Sequence, residues 1–446
     1  MQPKQPQEDD TRARALSGYM ANADVDALMR ATARRAAGFF AASLVFALTL
    51  GASLGAWLWL ALTLQLQLIP SMAASRARVA HGYAQLFGFA ALFVCGVAYH
   101  VLPRLSGRPW QTPTLQHVAL VGLVVGAGVG AVGALAAEAA WTMYVAHVML
   151  LVGAAAFALS VTTQFRAARP DPWLLAAYLQ TGCWWLVLAA GLPLLFPGLL
   201  AEGRYAVWEA TLWGFTTNWI YGMSLRILPA SLGLRRRDGK GAVVVYAMHQ
   251  LGVLLWCLSL AAESGAIPLG ASLFGRFGGL LLAAAGYGFV YHIGFLRTRE
   301  AAAHRMPGTE KFLWAGYAWL AIALVCGPLA VAWTGSSFVG PTADFARHAL
   351  TLGFLAQMIF GVSMRVLPAA AGIPIWSDRL RDSTYWLLNL AVVLRAGEAM
   401  TAWGGSIAWY RWSSLSGPLA WAAFVAFAVN LLMSVRQLRA RANAGA

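Results

Sequence analysis

Apolar residues fill this chain in stretches of about twenty, separated by short polar breaks. The stretches centre on 37–62, 80–102, 114–137, 141–164, 173–196, 206–228, 242–262, 271–295, 312–333, 346–367, 384–402 and 415–435. A hydrocarbon core about 30 Å thick is crossed by about 20 apolar residues of α-helix, so each stretch predicts one membrane span. The expected fold is therefore all-α, a polytopic membrane bundle of twelve transmembrane helices within residues 36–437. Residues 1–35 are polar and predict a cytoplasmic segment, with a short amphipathic helix from Asp24 on the inner membrane face. They carry acids and no apolar stretch before about Gly38, which does not read as a cleaved signal peptide. Residues 438–446 read as a cytoplasmic tail.

One stretch occurs three times. HGYAQLFGFAALFVCGVAYHVLPRLSG (His81 to Gly107) returns as WEATLWGFTTNWIYGMSLRILPASLG (Trp208 to Gly233) and as RHALTLGFLAQMIFGVSMRVLPAAAG (Arg347 to Gly372). In register, each copy has a glycine (Gly88, Gly214, Gly353) and a second one eight residues on (Gly96, Gly222, Gly361). A basic residue follows four later (His100, Arg226, Arg365), then Leu-Pro (Pro103, Pro229, Pro368), then a last glycine. Each copy is the second span of a group of four, which predicts three pseudo-equivalent four-helix units at about 36–165, 171–296 and 311–437. Glycines eight apart fall near one helical face and predict close helix packing. The prolines predict helix ends at the inner membrane surface, and Arg226 and Arg365 are placed to reach lipid headgroups.

Composition agrees with a membrane protein: 60% of the 446 residues are hydrophobic and 11% charged, with a mean hydropathy of +0.63. The net charge of +15 does not point to nucleic acid, because the basic residues lie in the breaks and read as topology signals and contacts with membrane lipid. With the N-terminus inside, about 25 Lys and Arg fall on the cytoplasmic side and about 7 outside. Both termini are thus expected in the cytoplasm, and each repeated span starts at the outer face. Cys95, Cys183, Cys257 and Cys326 stand singly in apolar runs, as buried thiols do. No phosphate-binding loop, dinucleotide fingerprint or nucleophile elbow is present.

Ionisable groups inside spans are costly and are the first functional candidates. Four fall in the outer part of the bilayer: His81, His147, Glu209 and His348. Three of them sit at the starts of the repeated spans. His81 lies seven residues before its glycine, whereas Glu209 and His348 each lie five before theirs, where Tyr83 is the counterpart. Each histidine reads either as a hydrogen-bonded interface residue or as an axial haem ligand, since an imidazole from each of two helices can hold haem iron in an apolar slot. Their shared depth makes His81 and His348 the leading pair for haem, with His147 next. Glu209 reads as an interface carboxylate or as a proton-handling group beside a cofactor.

Twelve spans in three groups, with histidines on the second and tenth, resemble the catalytic subunit of the haem–copper oxidases and nitric oxide reductases. More closely, HGYAQLFGF and RHALTLGF, the latter followed by MIFGVSMRVLP, are similar to the NnrS family of bacterial membrane proteins. That resemblance implies haem and copper binding, a role in the response to nitric oxide or in denitrification, and a bacterial inner-membrane location. Nitric oxide or a nitrosylated iron species is the partner it implies, and His81 and His348 are the positions it carries forward. The oxidase pattern fails at the copper site: span seven has a lone His249, and span six has Trp208-Glu209 without histidine. No tris-histidine copper centre is therefore expected, although copper elsewhere stays open. Three readings remain from the sequence: an NnrS-type haem protein, a respiratory oxidase or reductase subunit, and a cofactor-free transporter with ionisable groups on its path.

Overall fold

A computed structural model describes residues 23–63, 71–106, 108, 110, 112–136, 140–167, 173–200, 204–295, 308–335, 338–370, 374–404 and 406–444. The polar N-terminal residues 1–22 and the last glycines of two of the repeats, Gly107 and Gly372, lie outside them. Among the described residues there is no strand, and the long helices follow one another along the chain. They are α1 (23–63), α2 (71–106), α3 (Pro113–Ala136), α4 (Ala140–Ala167), α5 (Trp173–Leu195), α6 (204–232), α7 (Lys240–Glu263), α8 (Ala271–Ile293), α9 (310–334), α10 (341–370), α11 (Asp378–Ala402) and α12 (Ser416–Ala444). A short helix, Ile407–Ser413, precedes α12. The segment expected as a separate amphipathic helix from Asp24 is continuous with α1.

Ten of these helices are long and apolar enough to cross a membrane. The other two are α6 and α11, the expected sixth and eleventh spans, and the reason they fall short is physical. Helix α6 is buried without interruption from Ala206 to Leu225, and its interior side chains include Glu209, Thr211, Thr216, Thr217 and Asn218. A helix wrapped by other helices needs no lipid-facing apolar surface, provided its polar groups are satisfied inside. Helix α11 opens on Asp378, Arg379, Arg381 and Asp382 and carries Arg395 and Glu398 further along, which lowers its hydropathy.

The three repeated helices share a backbone feature that periodicity did not reveal. Each contains an eight-residue π segment, Ala84–Ala91 in α2, Ala210–Thr217 in α6 and Ala349–Ala356 in α10. The repeated glycine is the fifth residue of each segment. These glycines are contact points between helices, as the sequence predicts. A Cβ on Gly88 would stand 2.5 Å from Phe46, one on Gly214 2.6 Å from Trp185, and one on Gly353 2.6 Å from Trp319. Phe46, Trp185 and Trp319 belong to α1, α5 and α9, so each repeated helix is seated against the helix that precedes it by the same glycine and an aromatic ring. The second glycines repeat the pattern against Phe40, Leu179 and Phe312.

A wide π turn leaves carbonyls poorly matched, and side chains take them up. In α6, Thr216 donates to Leu212 O (2.6 Å), Thr217 to Leu212 O (2.9 Å) and Asn218 to Gly214 O (2.6 Å). In α2, Ser43 of α1 donates to Phe89 O at 3.0 Å.

The prolines correct an expectation. Pro103 and Pro229 lie inside their helices, which run three residues further, to Ser106 and Leu232. Proline removes the hydrogen bond to the carbonyl four residues back, and here each freed carbonyl finds another donor. Trp110 Nε1 donates to Tyr99 O at 2.9 Å, and Arg236 Nη1 donates to Leu225 O at 3.0 Å. Helix α6 ends instead at Gly233, whose φ of 65° is a left-handed conformation suited to glycine. Of the four cysteines, all free, Cys95 and Cys183 are buried while Cys257 and Cys326 are only partly so.

Candidate functional site

Helices α2 and α10 meet at the Phe89 and Phe360 rings, whose centroids are 6.3 Å apart, and residues nearer their starts line a cavity of about 430 Å³. Both His81 and His348 line it. Its apolar wall includes Leu86 and Phe89 of α2, Leu352, Leu355 and Ile359 of α10, and Phe424 of α12. Trp59 of α1 and Tyr205 and Trp208 of α6 complete the aromatic side, and the charged lining consists of Arg78, Asp344, Arg347, Arg395 and Glu398.

The two histidines are oriented alike. His81 Nδ1 lies 2.8 Å from Gly51 O, and His348 Nδ1 lies 2.8 Å from Asp344 O. A carbonyl oxygen can only accept, so each Nδ1 carries the proton and each neutral ring keeps its lone pair on Nε2. Neither Nε2 has a hydrogen-bond partner among the described residues. Gly51 is the last residue of a further π segment, Ala47–Gly51 of α1, so a backbone irregularity in one helix fixes the ring of a histidine in another. Gly55 of the same helix lets that ring in, because a Cβ there would stand 2.6 Å from His81 Cε1.

Glu209 is fully buried just behind the cavity. Its Oε1 accepts from Arg347 Nε at 2.8 Å, and its Oε2 accepts from Trp256 Nε1 at 3.4 Å. Arg347 also donates to Phe338 O at 2.9 Å and lies over the rings of Tyr205 and Phe338, at 4.5 Å and 4.4 Å. The carboxylate is thus committed to an ion pair joining α6 to α10. A second ionic group borders the cavity. Arg395 pairs with Asp344, has its Nε 3.0 Å from Glu398 Oε2, and lies 3.8 Å over the Trp59 ring. Sequence reasoning missed Asp344, Arg395 and Glu398 as site residues. The signal was available in α11, where Arg395 and Glu398 stand three residues apart inside an apolar stretch, an expensive arrangement in a membrane.

His147 is not in this cavity. It is buried in α4, with Nε2 2.8 Å from the Tyr83 hydroxyl and Nδ1 2.9 Å from Ala190 O. Both ring nitrogens are engaged, which is the bonding of a packed interior histidine. Tyr83, the counterpart of Glu209 and His348, therefore serves that contact. His249 is also buried and donates from Nε2 to Trp213 O at 3.1 Å. Among the described residues no group of three or more His, Cys, Asp or Glu side chains is arranged to hold a metal ion.

Together these features define a multi-pass helical membrane protein with a two-histidine cavity at one end of its bundle. Its relatives are found by family rather than by individual protein: the profile of the family described as NnrS protein matches residues 35–436. The chain belongs to the NnrS family. A search of curated proteins finds no match to it.

Proposed function

We propose that the chain is a haem-binding inner-membrane protein of NnrS type, in which His81 and His348, both lining the cavity, would hold the haem iron. The observation that carries this reading is the matched pair of imidazoles, each with Nδ1 donating to a main-chain carbonyl and Nε2 left without a protein partner. The bond from Nδ1 to the carbonyl fixes tautomer and ring plane, as such a bond does for metal-bound histidines generally. Two histidines alone make a poor site for a bare ion, so an iron held there must bring its remaining ligands with it, as a macrocycle does. The apolar and aromatic walls suit a flat tetrapyrrole, and haem bound through two imidazoles supplies one-electron redox chemistry. Around it, Gly51 and Asp344 hold the rings, Phe89, Leu352 and Phe424 exclude water, and Glu209 keeps Arg347 in place beside His348.

In this reading α6 and α11 cross the membrane with the other ten helices. The twelve spans then form three four-helix units with both termini cytoplasmic, and the cavity lies in the outer leaflet. The role is the response to nitric oxide or denitrification that the family resemblance implies, with nitric oxide or a nitrosylated iron species as the partner. The test is the absorption spectrum and metal content of the purified protein, beside His81→Ala and His348→Ala. A Soret band in the wild type and its loss or shift in each variant are expected. Absence of haem from the wild type, or wild-type content and spectrum in both variants, rejects the assignment.

A further inference from the structure

We propose that Arg78 is the carboxylate anchor of this cavity, binding an acidic group on the rim of the bound tetrapyrrole. The inference rests on the haem reading above and concerns which residue recognises the ligand's polar edge. Three arginines line the cavity, and two are already committed. Arg347 is held by Glu209, Phe338 O and two aromatic faces. Arg395 is held by Asp344, Glu398 and the Trp59 ring. Arg78 is exposed and makes no hydrogen bond or ion pair within 4 Å among the described residues; Glu398, already against Arg395, is the acid whose charge it feels across the cavity.

Its position fits the role. Arg78 and His81 are three residues apart on one helix, hence on neighbouring positions of the same face, with Arg78 about 4.5 Å nearer the helix start. A half-buried imidazole and an exposed guanidinium lining one cavity match a ligand that is apolar over most of its area and carries carboxylates along one edge. The guanidinium fork takes a carboxylate through two parallel hydrogen bonds, which adds orientation as well as attraction. The acids that border the cavity, Asp344 and Glu398, would repel such a group, but Arg395 stands against both.

The experiment titrates haem-free full-length protein in lipid nanodiscs with haemin and with haemin dimethyl ester, following the Soret band. Wild type, Arg78→Gln and Arg76→Gln are compared, the last removing the same charge from a different helix face. Wild type and Arg76→Gln are expected to prefer haemin over the diester by about tenfold. Arg78→Gln is expected to bind both pigments equally, at the affinity of the diester. Equal binding of the two pigments by the wild type, or a preserved preference in Arg78→Gln, overturns the anchor while leaving haem binding intact. Failure of the wild type to bind either pigment overturns the haem reading and this inference with it.

Discussion

His81 and His348 differ by two residues in their distance from the repeated glycine, about 200° of helical phase. Both nevertheless line one cavity, so the two copies meet it through positions that are not equivalent in the repeat. The positions equivalent to His348 are accordingly free for other tasks, Tyr83 in a bond to His147 and Glu209 in the pair with Arg347. His81 and His348 were legible in the sequence because ionisable groups are scarce in apolar stretches. Their carbonyl partners were not, since Gly51 is 30 residues from His81 and nothing in an apolar pattern marks which main-chain oxygen will be accessible. The Glu209–Arg347 pair, across 138 residues, was hidden for the same reason. Two outcomes follow for single residues. Gly55→Ala pushes a methyl group into the His81 ring and, if the cavity holds haem as proposed, should weaken its binding roughly tenfold, the usual scale for disturbing a ligand's supporting contact, as read by Soret titration. Glu209→Ala leaves the Arg347 guanidinium, itself largely enclosed, without its counter-charge, and should cost roughly 3 kcal/mol in a reversible unfolding assay in detergent. Removing both partners should cost less than the two single losses added together.

The repeated helix is defined by more than its letters. Its glycine, its π segment and the aromatic ring that it meets recur together in α2, α6 and α10. Close packing was legible from the glycine spacing. The π segments were not, because widening a turn changes neither the composition nor the apolar character of the stretch. The prolines misled for a related reason. A helix interior tolerates proline when another donor reaches the freed carbonyl, and Trp110 and Arg236 come from the segments after each helix. Packing at the glycine is testable by contrast within the chain. Gly214→Ala would place a Cβ 2.6 Å from Trp185 and should destabilise by about 1–3 kcal/mol through overpacking. Gly128→Ala would place one at an ordinary 3.7 Å from Phe46 and should be neutral or slightly stabilising, as helix propensity favours alanine. Thermal unfolding of the two variants beside wild type makes the comparison.

At the scale of the molecule, the apolar pattern located every long helix, including the two whose hydropathy is low. The polar content of α6 reflects its position, enclosed by other helices, where threonine and asparagine serve backbone carbonyls instead of facing lipid. Whether α6 and α11 cross the membrane decides the side on which the loop between α8 and α9 lies. With twelve spans, a reporter inserted between Ile293 and Glu310 falls on the same side as one fused at Ala446. If only the ten more apolar helices cross, the two fall on opposite sides, so paired fusions distinguish the counts without reference to absolute orientation. The π segments also bear on how such a chain arose. One residue added to a regular turn rotates everything beyond it by about 100°, and a later correction would have to occur separately in each copy. All three segments begin four residues before the same glycine. A single insertion in an ancestral helix, copied with it, would account for all of them. The starts of the three helices now carry different groups, a histidine, a glutamate and a second histidine, ahead of the same interruption.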